Sequence, residues 1–321
     1  KAGLSSKDLA PWEYVIKTEG KDIYIYGRDY PAPLKNKSLH RFLYYTSGSL
    51  KGCCTFAEKF LNTRFVAPEL NSDQEYDGVR TLPCNKITVP ENFTMRRKPR
   101  FLLSGDNGGV LYTVANNFMT GTGNRFDVHY IDKVIPVAKY AKTHPEYFVE
   151  RDGKRSALGN HLCISNPEVQ ELIYKEMLSK LDQGAGAVEL AQTDGFTPCL
   201  CAGCKAFGVP GNDYGEKIWI LHRSLAERLM TDRPGKKVVI ICYPPNFTPP
   251  KTFDSFPANT IIELCTYSEK VFSDWKKIKV PGGFLVYIYN WGNYHITGYT
   301  PKCPPSFIAK QVNTFLSNGV K

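Results

Sequence analysis

The stretch Val188-Glu-Leu-Ala-Gln-Thr-Asp194-Gly-Phe-Thr-Pro-Cys199-Leu-Cys201-Ala-Gly-Cys204 gathers the side chains best suited to chemistry. Val188 to Ala191 has the length and apolar character of a buried strand. Asp194-Gly195 ends it, and the glycine permits a turn that aims Asp194 outward. A carboxyl at the tip of a buried strand is how an α/β barrel presents an active-site acid or base. The competing role is a plain turn cap, because Asp before Gly is a common turn pair. Glu189 and Glu263 add two carboxyls inside otherwise apolar strands. Each is a candidate partner in acid–base catalysis, with structural ion pairing as the stronger alternative, since a lone buried charge is costly.

Cys199, Cys201 and Cys204 fall within six residues, and Cys163 is the natural fourth. Four thiolates would bind zinc tetrahedrally. Disulfides compete and take precedence in an oxidising compartment. Either outcome makes the cluster a clamp for the loop after Asp194 rather than a catalyst. Around the expected strand ends stand His129, Tyr243, Tyr267, Tyr289, Asn290 and Trp291. Aromatic faces there can stack on sugar rings and the polar groups can bond hydroxyls; core packing and backbone satisfaction are the alternatives.

The elements that must position these groups follow from periodicity. Glu13–Thr18 and Asp22–Tyr26 alternate around Glu19-Gly20-Lys21 and predict a hairpin. Ser38–Tyr45 and Gly52–Leu61 are expected helices, and Arg64–Ala67 a short strand. From Arg100 onward apolar runs alternate with helical stretches, the pattern of repeated βα units. Expected strands are Arg100–Leu103, Phe126–Tyr130, Val188–Ala191, Lys237–Tyr243, Thr260–Tyr267 and Gly283–Trp291. Expected helices are Ile131–Lys142, one opening at Ser165-Asn-Pro-Glu168, Tyr214–Met230, Ser268–Ile278 and Ser306–Leu316. Val320-Lys321 would begin a further strand, so the chain is expected to stop short of a closed barrel. The division predicted is a small α/β domain over 1–85, a linker over 86–99 and a (β/α) barrel domain over 100–321.

Composition narrows the function classes. In 321 residues, 41 Lys and Arg against 31 Asp and Glu give a net charge of +10, yet no basic run exceeds three residues and no nucleic-acid motif is present. That pattern is a solvated basic surface rather than a nucleic-acid footprint. No apolar stretch reaches the ~20 residues of a membrane span. Ten cysteines and three sequons, at Asn36, Asn92 and Asn246, together favour a secreted glycoprotein with disulfides.

His144-Pro-Glu-Tyr-Phe148, Asp152-Gly-Lys-Arg155, Leu162-Cys-Ile-Ser-Asn-Pro-Glu-Val169, Thr193-Asp-Gly195 and the Cys199-x-Cys201-x-x-Cys204 run resemble, in that order, the domain of unknown function 4838. The resemblance covers roughly Phe101 to the C-terminus. Gly52 to Pro68 resembles the small α/β domain that precedes such barrels. It implies a TIM-barrel glycosidase fold overlapping glycoside hydrolase family 163, which includes endo-β-N-acetylglucosaminidases acting on N-glycans. The expectation is a secreted hydrolase of N-acetylglucosamine-containing glycans, needing no cofactor beyond a structural zinc if the cysteines are not paired. The alternative class is a non-catalytic extracellular carbohydrate-binding or matrix protein on the same fold.

Overall fold

A computed structural model describes residues 4–29, 47–66, 78–83, 86–101, 110–116, 129, 131–183, 185–289 and 303–321. The chain divides into two compact units, Lys1–Gly123 and Asn124–Lys321.

The first unit is built on an antiparallel sheet. Strands β1 (Tyr14–Glu19) and β2 (Asp22–Gly27) form the expected hairpin, pairing from Tyr14 with Gly27 to Glu19 with Asp22. Gly20 takes φ +60° in its two-residue loop, a conformation that glycine reaches without steric cost. Helix α1 (Gly48–Phe60) lies against this sheet. The approach is close enough that a Cβ on Gly27 would come within 2.2 Å of the Gly48 carbonyl carbon. A small antiparallel pair, β3 (Thr63–Phe65) and β4 (Val79–Thr81), follows.

The stretch 86–99, expected as a linker, contributes structure instead. Its residues Thr94–Arg97 form β5 on the free edge of β1. Arg96 Nε meets the buried Glu13 carboxylate at 2.5 Å, which ties this strand to the residue before β1. Helix α2 (Val110–Ala115) closes the described part of the unit.

The second unit opens with short turns of helix, α3 (Ile131–Val134) and α4 (Val137–Tyr140). A continuous helix over Ile131–Lys142 is not formed: Pro136, extended at ψ 130°, caps the second turn and separates it from the first. The hairpin β6 (Val149–Arg151) and β7 (Lys154–Ser156) turns through Asp152 and Gly153, both at positive φ, a two-residue loop suited to Asp-Gly. Helix α5 (Pro167–Asp182) starts as its sequence predicts, with Asn166 Oδ1 accepting from the Glu168 and Val169 amides and Pro167 in the first turn.

Four parallel strands then run in sequence order: β8 (Ala187–Leu190), β9 (Lys237–Cys242), β10 (Thr260–Leu264) and β11 (Phe284–Val286). Between them come α6 (Ala202–Ala206), α7 (Tyr214–Asp232) and α8 (Glu269–Trp275), and α9 (Pro305–Ser317) follows. Val320 pairs in parallel with Phe284, so the segment expected to begin another strand does touch the sheet. The class is mixed α/β as expected. An eight-stranded closed barrel is not shown among the described residues, whose parallel sheet has four strands and this bridge. The expected strand over Phe126–Tyr130 lies outside them except for His129. Of Arg100–Leu103 only Arg100 and Phe101 are described, and they are not in a strand.

Register fixes the two faces of this sheet. Val188, Leu190, Val238, Ile240, Ile262, Leu264 and Phe284 share one face. Trp275 of α8 packs edge-on to Phe284 at 5.7 Å and to Trp219 of α7 at 5.5 Å, so this face carries the helices. Glu189, Val239, Ile241, Glu263 and Leu285 share the opposite face.

Candidate functional site

The opposite face is the chemically loaded one. Glu189 is wholly buried and Glu263 partly so. They stand on β8 and β10, with β9 between, on the same face of the sheet. Burial pushes the Glu263 carboxyl up to about 7, against an opposing pull from Glu189.

Beyond the strand ends the same face continues as Ala191, Ile241 and Cys265, with Tyr243 packed on them. The Asp194 side chain, 70% exposed, projects from the turn after β8 and accepts from the Gly195 amide at 2.8 Å. Gly195 takes φ +63° there, the turn conformation its sequence predicts. His129 Nε2 lies 4.0 Å from Asp194 Oδ1, and His129 Nδ1 is 2.6 Å from the Gln192 carbonyl oxygen. That carbonyl can only accept, so it fixes Nδ1 as the protonated ring nitrogen and leaves Nε2 facing Asp194. The Tyr243 ring lies 5.1 Å from the His129 ring. Burial first, then the Asp194 charge, raise the Tyr243 hydroxyl above its ordinary pKa. Asp194, His129 and Tyr243 therefore form one cluster.

The remaining predicted aromatics form a neighbouring group. The Tyr289 amide donates to the Tyr267 hydroxyl at 3.1 Å. Tyr267 also packs edge-on against Phe315 of α9 at 5.2 Å, which makes it partly a core residue. Tyr287 and Tyr289 are exposed, with rings 4.9 Å apart. Asn290 and Trp291 lie outside the described residues.

Gln192 was not singled out from sequence, yet it joins the ends of β8 and β9. Its Nε2 donates to the carbonyls of Tyr243 and Pro244, both at 2.7 Å, and to Asn246 Oδ1 at 2.8 Å. Asn246 Nδ2 in turn donates to the Ile241 carbonyl at 3.0 Å. Asn246 is only 1% exposed. The expectation of an exposed glycosylation site there is therefore corrected: its amide nitrogen is buried and bonded inside the loop. Asn92 is exposed in a turn as expected, and Asn36 lies outside the described residues.

Cys163, Cys199, Cys201 and Cys204 do converge, as expected. All four are buried, and their sulfurs lie within 4.8 Å of one another. Cys163 Sγ is 3.7 Å from Cys201 Sγ and 3.6 Å from Cys204 Sγ, and all four are free thiols in the structure. Cys199, Cys201 and Cys204 lie on the chain between Asp194 and α7, and Cys163 lies just before α5.

No helix among the described residues is long and apolar enough to cross a membrane. No curated protein matches the chain. A family model does: the domain of unknown function DUF4838 matches residues 83–321, about three quarters of the sequence, so this chain belongs to the DUF4838 family.

Proposed function

We propose that this chain is a glycoside hydrolase for N-acetylglucosamine-containing glycans, of the endo-β-N-acetylglucosaminidase type, with Glu263 as general acid. The observation that carries this reading is the Glu189–Glu263 pair. A carboxyl raised to about 7 still holds its proton at neutral pH, as protonation of a glycosidic oxygen requires.

The pair also bears on the route. A two-carboxylate mechanism needs its groups about 5–9 Å apart. Glu189 acts on the Glu263 carboxyl from the same sheet face, so the two are better suited to act as one acid with its support. That favours a substrate-assisted reaction, in which the acetamido group of the sugar attacks its own anomeric carbon. Asp194, charged and exposed beside Tyr243 and His129, is suited to hold the acetamido nitrogen and the cationic ring it becomes. The exposed Tyr287 and Tyr289 would stack on neighbouring sugars.

The same sheet supports a barrel-type fold: parallel strands in sequential order with helices on one face are the repeating pattern of a barrel wall.

The test is release of a reducing glycan end from an N-glycoprotein, compared between wild type and Glu263→Gln. Turnover that Glu263→Gln abolishes supports the proposal. Wild-type-like turnover in that variant removes Glu263 from the mechanism. Glycan binding without turnover in the wild type moves the chain to the carbohydrate-binding class.

A further inference from the structure

We propose that Cys163, Cys199, Cys201 and Cys204 bind one zinc ion as four thiolates, in a structural site that fixes the loop following Asp194. The proposal does not depend on the hydrolase reading. Its first support is distance. A tetrahedral zinc with Zn–S bonds of ~2.3 Å sets its sulfurs ~3.8 Å apart, whereas bridged sulfurs lie at ~2.05 Å. The Cys163 sulfur stands 3.7 and 3.6 Å from those of Cys201 and Cys204, and the four sulfurs form a mutual group within 4.8 Å. Two disulfides would draw the sulfurs into two short pairs rather than one four-membered group.

The second support is what surrounds the sulfurs. The Cys204 amide donates to Cys201 Sγ at 3.4 Å across Cys201-x-x-Cys204, and the Glu150 amide donates to Cys199 Sγ at 3.2 Å. Ser165 Oγ lies 3.1 Å from Cys204 Sγ. Arg155 Nη1 approaches Cys199 Sγ at 3.6 Å and supplies a positive charge beside the cluster. A neutral thiol is a weak acceptor, and a zinc-bound thiolate is a strong one whose charge calls for such donors. A site of net charge −2 among buried groups is reasonable only with this shell.

The third support is position. The cluster joins Cys163, just before α5, to the loop 199–204. The Leu200 amide donates to the Glu150 carbonyl at 2.8 Å, which adds the β6–β7 hairpin. Three chain segments are thus held together, one of them the loop that follows Asp194. A metal would supply there the rigidity that the apolar core supplies elsewhere.

The experiment uses the full chain, purified without chelator or immobilised metal. One zinc per chain by elemental analysis, and an X-ray absorption shell of four sulfurs at ~2.3 Å, are expected. Exchange for cobalt should give the visible bands of tetrahedral Co(II) with sulfur-to-metal charge transfer. Unfolding with chelator and an alkylating agent, without reductant, should label all four cysteines. Cys201→Ser should lose the metal, and Cys53→Ser should keep it. Because loss of Cys201 can unfold the loop by itself, the wild-type absorption and cobalt spectra decide. A metal-free chain with disulfide-linked peptides among these cysteines overturns the proposal. So does bound zinc with fewer than four sulfur ligands.

Discussion

Glu189 on β8 and Glu263 on β10 lie on the same face of the sheet, on either side of β9. Glu189 acts on the Glu263 carboxyl and partly offsets the upward push of its burial. Glu263 is the more exposed member, so it is the one a substrate oxygen can reach. Glu263→Gln keeps the shape but has no acid proton to give. Hydrolysis is expected to fall about 10²-fold or more. In the wild type the rate should fall as pH rises through about 7, because the acid form is lost there. A pH–rate profile flat from 6 to 8 would contradict the assignment.

Asp194 offers a cleaner separation of function from stability. Its side chain is 70% exposed and its one described bond is to the neighbouring amide. Asp194→Asn is expected to change stability by no more than about 0.5 kcal/mol, as for other surface positions. The same change should lower glycan hydrolysis about 10²-fold, because a neutral amide does not stabilise a developing positive charge. Thermal melting and turnover of the same preparation check both halves.

Asn246 is expected to stay unmodified even when the chain passes through a glycosylating secretory pathway. Its amide nitrogen donates to the Ile241 carbonyl and its oxygen accepts from Gln192. Peptide mapping after such expression should find any glycan at Asn92 or Asn36 and none at Asn246. Asn246→Ala would leave the Ile241 carbonyl and the Gln192 amide short of partners, and is expected to cost about 1–3 kcal/mol. Glycan on Asn246 in folded protein would show that this loop is open.

Much of the scaffold was legible because it rests on local rules. The Asn166 cap, Pro167 at the helix start and the apolar runs of β8 to β10 each announce their element. The Asp152-Gly153 turn carried a hairpin signal of the same local kind. The two carboxyls were not legible as a pair, because residues 74 positions apart come to one sheet face only through strand register. Asn246 was misread because a sequon states what an enzyme accepts, not whether the side chain is already bonded in the core.

Glu263 and His222 give the second unit opposite responses to pH. Glu263 holds its proton up to about 7 in the folded chain and from 4.5 in the unfolded one. Between those values the folded state binds more protons, so stability falls as pH rises, by about 3 kcal/mol in all. His222 in α7 is fully buried, and that burial lowers it from 6.5 to about 3. Between those values the unfolded state binds more protons, so stability rises with pH, by about 5 kcal/mol in all. From pH 4.5 to 6.5 the two slopes cancel, and below 4.5 the His222 effect stands alone. Denaturant midpoints across pH 3 to 8 test this with single variants. Glu263→Gln should be steeply more stable at pH 6.5 than at pH 4.5, with the wild type nearly level over that range. His222→Gln should instead lose stability from pH 4.5 to 7. Parallel profiles for the wild type and both variants would mean that neither group titrates with folding.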